Sequence, residues 1–120
     1  MANTNLSPAT VRELSEAQAA WIGAIIEGEG CIALRTTDPR APICEIRVGN
    51  TDVEVIATCL RFVGAGTVHI QQGVNRPVWC WKVSRTLDVL CLAEQIIPWM
   101  TTKGEILQGV LQELRDRRGR

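Results

Sequence analysis

Apolar residues recur along this 120-residue chain with two different spacings, and each spacing predicts a different kind of element. Apolar side chains every three or four residues are typical of one face of an α-helix. The four main predicted helices are residues 16–28, 53–63, 87–97 and 103–117. Ser7 and Pro8 form a typical helix start, which predicts an additional short helix that ends at Leu14.

Short apolar or alternating segments lie between these helices and predict strands. The four predicted strands are residues 31–37, 43–49, 67–71 and 78–84. Alternation in the last strand separates two faces, with Trp79, Trp81 and Val83 on one and Val78, Cys80 and Lys82 on the other. We expect the tryptophan face to pack beneath the helices and the lysine face to stay open to solvent or to a partner.

The elements therefore follow the order helix, strand, strand, helix, strand, strand, helix, helix. Two successive helix–hairpin units predict an α+β fold, in which helices cover one face of a single antiparallel four-stranded sheet. The length fits one domain. We divide it into an N-terminal extension (residues 1–14), a core (residues 15–114) and a basic tail (residues 115–120).

Composition sets limits on the class of protein. Hydrophobic residues make up 46% of the chain, enough for a folded core. No apolar run approaches the roughly 18 residues that a membrane span needs. The first seven residues are polar and lack the features of a signal peptide. These features predict a protein of the cytoplasm, or of an organelle matrix in a eukaryote, without a membrane partner.

Charge and cysteine content bear on two further classes. The formal net charge is zero, which argues against a nucleic-acid-binding protein, since such domains usually carry a basic excess. However, residues 31–85 contain seven basic side chains and four acidic ones, so a modest basic face is expected. Five cysteines without a Cys-x-x-Cys pair, together with a single histidine, argue against a structural zinc site.

The stretch at residues 21–30, Trp-Ile-Gly-Ala-Ile-Ile-Glu-Gly-Glu-Gly, is the most informative part of the chain. Glycine weakens a helix by about 1 kcal/mol relative to alanine, so three glycines in and after one helix need a reason. Close backbone approach at Gly23 and a tight helix exit at Gly28 and Gly30 supply one. Such an exit fixes the position of Glu29 beside another element.

This stretch resembles the LAGLIDADG motif of homing endonucleases, in the variant that ends Glu-Gly-Glu-Gly. The resemblance extends over about residues 16–114. It is supported by the Gly64-Ala65-Gly66 turn before the third strand and by the Pro98–Lys103 segment before the last helix. It implies a homodimer in which the motif helix packs against its counterpart, with Ala20, Gly23, Ala24 and Glu27 at the interface, although Glu27 also faces the helix junction.

The same resemblance implies a cleavage centre. Glu29 is at the position of the acid that binds a divalent cation, Mg²⁺ or Mn²⁺, and the preceding Gly28 offers its carbonyl oxygen. Asn50 is at the position of a polar residue that orients water, and Lys103 at that of a basic residue near the scissile phosphate. Without the resemblance, Asn50 is interpreted as a helix cap and Lys103 as an ordinary residue of a helix start.

The open face of the sheet is then expected to lie in the major groove of double-stranded DNA, which accommodates a two-stranded ribbon. The predicted DNA-binding residues are Arg35, Thr37, Arg40, Arg47, His69, Gln71 and Lys82. Ile43, Val78 and Cys80 are expected on the same face and make it more apolar than is usual for such a surface.

We therefore predict a metal-dependent, site-specific double-strand DNA endonuclease of the homing type, which acts as a homodimer on a nearly two-fold symmetric site. One alternative is a nucleic-acid-binding protein of the same fold without nuclease activity, such as an intron-splicing maturase or a DNA-binding regulator. A decayed relative that folds and dimerises without either activity is a further alternative.

Overall fold

The structure is a computed structural model, and it describes residues 9–35, 42–72 and 75–118. The described elements are α1 (Glu16–Glu29), β1 (Gly30–Arg35), β2 (Ile43–Asn50), α2 (Val53–Val63), β3 (Thr67–Gln71), β4 (Val78–Val83), α3 (Thr86–Ile96), a 3-10 turn (Ile97–Trp99) and α4 (Thr102–Arg118). The four main helices and four strands predicted from the sequence are all present in this part of the chain.

The strands form one antiparallel sheet in the order β1-β2-β4-β3. Helices cover one of its faces, where Ile46, Val48 and Val83 are almost completely buried. The α+β architecture expected from the sequence is therefore confirmed. None of the described helices is long and apolar enough to cross a membrane.

Trp81 is the largest fully buried side chain and lies on the helix-facing side of β4. Its indole Nε1 donates a hydrogen bond to the carbonyl oxygen of Ala65 at 3.0 Å, which satisfies a polar group that burial would otherwise leave unpaired. Gly66 has a φ of 103°, and a Cβ there would lie 2.7 Å from Trp81 Nε1. The Gly64-Ala65-Gly66 turn thus packs closely against Trp81, the largest side chain of the core.

The prediction of a short N-terminal helix that ends at Leu14 is wrong for the described residues, since residues 9–15 are not helical. Ser7 and Pro8, on which the prediction rested, lie outside the described residues. The backbone of this segment is bound by other elements: the Thr10 and Leu14 amides donate to side chains of α3, each at 2.7 Å, and the Arg12 amide donates to the carbonyl oxygen of Val63. These tertiary bonds replace the bonds that a helix would have made within itself.

The predicted capping box of α1 is confirmed. The amide of Gln18 donates to the Ser15 hydroxyl oxygen at 3.1 Å, and the Ser15 amide donates to the Gln18 side chain at 3.0 Å. Two of the amides that every helix start leaves unpaired are satisfied in this way. The start of α1, and with it the register of the motif stretch, is therefore set by local sequence.

Candidate functional site

Glu29 is the last residue of α1 and is exposed where the chain turns directly into β1. The turn is tight because Gly30 has no side chain. A Cβ at Gly30 would lie 2.8 Å from both the Cα and the carbonyl oxygen of Ile26, closer than real contacts allow. The glycine after the acid thus lets the helix pass into the strand without a loop, which fixes the backbone position of Glu29.

Asn50 is the last residue of β2 and contacts this acid. The register of the hairpin pairs Gly30 with Val48, which brings the end of β2 beside the end of α1. Asn50 Nδ2 donates a hydrogen bond to Glu29 Oε2 at 2.8 Å, and its Oδ1 accepts one from the Asp52 amide, also at 2.8 Å. Two contacts therefore fix the orientation of the amide, and one of them orients the carboxylate.

Asn50 was also interpreted as an ordinary helix cap, and the structure separates the two roles. The N-cap of α2 is Asp52, whose carboxylate accepts a hydrogen bond from the Glu54 amide at 2.9 Å. Asn50 supports the turn that precedes this cap while its amide nitrogen holds Glu29.

Lys103 lies in the first turn of α4 and reaches the same junction. Its Nζ donates a hydrogen bond to the carbonyl oxygen of Gly30 at 2.7 Å, and the residue is half-buried. The ammonium group is therefore held one residue from Glu29. The three candidate catalytic residues predicted from separate parts of the sequence converge on the passage from α1 to β1.

Glu27, the first acid of the motif, binds a different element. Its carboxylate accepts hydrogen bonds from the Thr101 amide at 2.7 Å and from the Lys103 amide at 3.0 Å, and so caps the start of α4. The backbone hydrogen bond from Lys103 is the main cause that lowers the pKa of Glu27 below its usual value. This acid is structural: it holds the helix turn that carries Lys103.

Two of the four residues predicted at a dimer interface make their contacts within the chain. Glu27 binds α4. Gly23 is buried, and a Cβ added to it would lie 3.2 Å from Trp99 Cβ and 3.3 Å from the Ile96 carbonyl oxygen. The close approach that Gly23 permits is therefore to the 3-10 turn of the same chain. Ala24 is exposed and Ala20 half-exposed, and their contact with a second copy stays a prediction.

The donors at this site are hard oxygens, the class that Mg²⁺ prefers. The exposed Glu29 carboxylate and the carbonyl of the exposed Gly28 are adjacent in the chain. Among the described residues there is no group of three or more His, Cys, Asp or Glu that could hold a metal ion.

Two buried cysteines in the core are not candidates for this chemistry. Burial raises the pKa of Cys59 to about 12, and the nearby charge of Glu29 adds to the effect. Burial likewise raises the pKa of Cys44 to about 11. A thiol in this state is neutral at physiological pH and serves neither as a nucleophile nor as a metal ligand.

The sheet face opposite the helices carries a row of side chains across all four strands. Register pairs Arg47 with Cys31 and with Lys82, and Lys82 with Thr67. The exposed His69 and Gln71 follow on β3, and Arg35 ends β1 with 58% of its side chain exposed. Thr37 and Arg40, which were also predicted to bind DNA, lie outside the described residues.

The middle of this face is less open than the sequence predicted. Glu45 is only 4% exposed and Cys80 only 7%, although both are on the side without helices. Glu45 Oε1 lies 2.9 Å from Arg35 Nη2, and Oε2 lies 3.8 Å from Arg47 Nε. The sequence placed Glu45 on this face but did not predict its pairing, although its position near two arginines on the same face was a usable signal.

Comparisons with known proteins bear on the fold. No family model and no curated protein matches the sequence. Among solved structures, the homing endonuclease I-CvuI in complex with its target matches with a TM-score of 0.67 and 18% identity, over 81% of this chain and 65% of that one. The homing endonuclease I-TnaI matches with a TM-score of 0.64 and 18% identity, over 90% of this chain and 77% of that one.

The LAGLIDADG meganuclease I-AabMI, solved with uncleaved DNA, matches with a TM-score of 0.65 and 13% identity, over 82% of this chain. This chain spans 37% of the length of I-AabMI and just under two thirds of I-CvuI. At such identities the likeness is one of fold. The chain has the LAGLIDADG homing endonuclease fold that the motif stretch predicted.

Proposed function

We propose that this chain is a metal-dependent, site-specific double-strand DNA endonuclease of the homing type that acts as a homodimer. The observation that carries the proposal is the convergence of Glu29, Asn50 and Lys103 on one helix–strand junction, where Asn50 binds Glu29 at 2.8 Å and Lys103 binds the Gly30 carbonyl oxygen at 2.7 Å. The similar fold of I-CvuI supports it, since that homing endonuclease was solved with its own target in the presence of Ca and with uncleaved I-CreI target DNA in the presence of Mg.

Each residue of the junction has a distinct task. Glu29 and the carbonyl of Gly28 would hold a divalent cation, which supplies a Lewis acid for phosphodiester hydrolysis. Asn50 keeps the carboxylate in one orientation through its 2.8 Å hydrogen bond. Lys103 provides positive charge where negative charge develops on the phosphate, and its bond to the Gly30 carbonyl limits the volume that the ammonium explores.

A second copy of the chain completes this centre. Each chain supplies one carboxylate, Glu29, and the Glu29 of a second copy would add another charged oxygen ligand for the metal ion. A two-fold axis that runs beside α1 brings two Glu29 side chains together, with Ala20 and Ala24 at the contact. Apposed carboxylates repel each other unless a cation lies between them, so metal binding and dimerisation are coupled in this proposal.

The sheet face then binds the major groove. Arg47 and Lys82 occupy neighbouring strands at its centre, and Arg35 lies towards the β1–β2 hairpin. Arginine and lysine read guanine, and glutamine such as Gln71 reads adenine. Because a symmetric dimer presents the same face twice, the target is expected to contain two related half-sites.

A cleavage assay tests the proposal. Purified protein is incubated with a randomised DNA library and Mg²⁺, and the new ends are sequenced. We expect discrete double-strand breaks at one symmetric sequence, and a loss of at least about a hundredfold in rate for Glu29→Gln, which removes the charged metal ligand. Unrelated background breaks that persist in Glu29→Gln would contradict it.

One specific observation favours a second candidate, a DNA-binding protein of this fold without nuclease activity. Ile43 is 46% exposed on the sheet face and Glu45 adds an acid there, so the face is more apolar and less basic than its arginines and lysine alone would make it. Retention of DNA from the library without any cleavage would support this candidate over the endonuclease.

A further inference from the structure

Glu45 is an acid buried on a surface that the proposed function assigns to DNA. It lies on β2 opposite Ala33 of β1, and its side chain is 5% exposed. Carboxylates are rarely buried to this extent unless they are paired. The groups that it faces are the guanidinium groups of Arg35 and Arg47, which are much more exposed.

The contact with Arg35 is a direct ion pair. Arg35 Nη2 lies 2.9 Å from Glu45 Oε1, within charge-assisted hydrogen-bond distance. The same arginine keeps 58% of its side chain exposed. One nitrogen of the guanidinium group is therefore held by the protein while more than half of the side chain stays accessible to solvent.

The contact with Arg47 is longer and leaves two atoms without partners. Glu45 Oε2 and Arg47 Nε are both buried, and they face each other at 3.8 Å. Neither atom has a hydrogen-bond partner among the residues that the structure describes. A hydrogen bond between them would be about 0.9 Å shorter. Because Nε is buried while 40% of the side chain is exposed, the exposed part of Arg47 lies elsewhere on that side chain.

We propose that Glu45 is a positioning residue for sequence readout, which holds Arg35 and Arg47 towards base edges and away from the DNA backbone. The inference rests on the proposed function, since it assumes that this face binds DNA. An unrestrained arginine on such a face binds phosphates, which gives affinity without sequence information. A guanidinium group with a buried carboxylate on one side, 2.9 Å from Arg35 Nη2 and 3.8 Å from Arg47 Nε, is restricted in its orientation and presents its remaining donors in a defined plane, as bidentate recognition of guanine requires.

The proposal predicts that loss of the Glu45 charge has opposite effects on binding to unrelated DNA and on discrimination of a preferred site. The negative charge of Glu45 opposes phosphate contacts, so its removal should strengthen binding to unrelated DNA. Its removal should also release the two arginines and weaken discrimination. A merely structural role for Glu45 predicts that both kinds of binding change together.

The test begins with selection of a preferred site from random duplex DNA by the wild-type protein. Binding to that site and to an unrelated duplex is then measured in Ca²⁺ over a range of salt concentrations, for the wild type and for Glu45→Gln. We expect Glu45→Gln to lose about tenfold in the ratio of specific to unrelated binding. On unrelated DNA we expect tighter binding and a steeper salt dependence, by up to about one unit of slope.

Two further variants serve as controls. Glu13→Gln makes the same change of charge at an exposed residue of the N-terminal segment, which packs on the helix side, and is expected to leave both kinds of binding unchanged. Arg35→Lys keeps the charge but loses the planar fork. It should therefore lose discrimination without the gain on unrelated DNA.

The outcomes separate the two proposals. If wild-type protein discriminates between duplexes and folded Glu45→Gln does so equally well, the positioning role is overturned and the proposed function stands. The same conclusion follows if both kinds of binding fall in parallel with melting temperature. If wild-type protein enriches no duplex at all, the proposed function is overturned, and the positioning role of Glu45, which depends on it, is overturned as well.

Discussion

The junction of α1 with β1 and the open face of the sheet use polar side chains in two different ways. At the junction, main-chain groups take part in most of the contacts: Lys103 binds a carbonyl, and Glu27 binds amides. On the sheet face, Glu45 binds the side chains of Arg35 and Arg47. Backbone contacts fix atoms within a narrow range, whereas contacts between long side chains allow adjustment.

This difference suits the two tasks that we propose. A cleavage centre needs its groups within about 0.5 Å of the productive geometry, which rigid elements provide. A surface that reads DNA has to match a base sequence. Substitution of long, exposed side chains on a regular sheet can alter the sequence that is recognised without altering the fold. Substitutions at the junction should therefore impair cleavage strongly, and those on the sheet face should alter affinity in smaller steps.

The largest effect is expected for Gly30→Ala. A Cβ at Gly30 would meet Ile26 backbone atoms at 2.8 Å, so the junction must shift and Glu29 with it. We expect a loss of about 1–3 kcal/mol in unfolding free energy. A misplaced catalytic group typically costs about a hundredfold in cleavage rate. Denaturant melts and cleavage assays on the same preparation would measure both.

Gly109→Ala is the matched control, because a Cβ at Gly109 meets nothing within 4 Å and the residue lies within α4. Alanine is expected to stabilise that helix by up to about 1 kcal/mol and to leave cleavage unchanged. If Gly30→Ala kept the stability and the cleavage rate of the wild type, the claim that the α1–β1 junction has no room for a Cβ would be refuted.

An intermediate effect is expected for Glu27→Gln, and it should depend on pH. The backbone hydrogen bond from Lys103 lowers the pKa of Glu27 in the folded protein below the usual value of 4.5. Stability from this cap is therefore fully present above that value and is lost as the pH falls through the folded-state pKa. The melting temperature of Glu27→Gln should lie below that of the wild type at neutral pH, and the two should converge in acid.

Glu105→Gln removes an exposed acid from the same first turn of α4 and controls for the charge alone. A pH-independent difference between Glu27→Gln and the wild type would argue that the carboxylate does not act as a charged cap. Equal pH profiles for the Glu27 and Glu105 variants would lead to the same conclusion.

The smallest effect is expected for Lys82→Ala on the sheet face. Loss of one lysine near the phosphates should weaken binding about equally for all duplexes and reduce the salt slope by about one unit. Cleavage at saturating enzyme should stay near the wild-type rate, because Lys82 lies on the sheet face, with Arg47 and Thr67 as its register partners. Arg61→Ala, on the helix layer, is the matched control. A loss of saturated cleavage in Lys82→Ala would contradict the separation of the two regions.

Much of the fold was predictable because local patterns specify it. The spacing of apolar residues located α2 and β3 with their observed ends, and Ser15 with Gln18 set the start of α1. The N-terminal segment was mispredicted because its hydrogen-bond partners, Asp88 and Gln95, lie some eighty positions away in the chain. Such bonds leave no local pattern for sequence reasoning to use.

The candidate site divides along the same line. The sequence by itself determined which residues were candidates, since the motif stretch and two downstream segments pointed to Glu29, Asn50 and Lys103. Only the tertiary structure decided that Gly23 packs inside the chain, that Glu27 caps α4 and that Glu45 is buried between two arginines. Periodicity and capping are local and can be read along the chain, whereas burial and pairing depend on which distant elements meet in the fold.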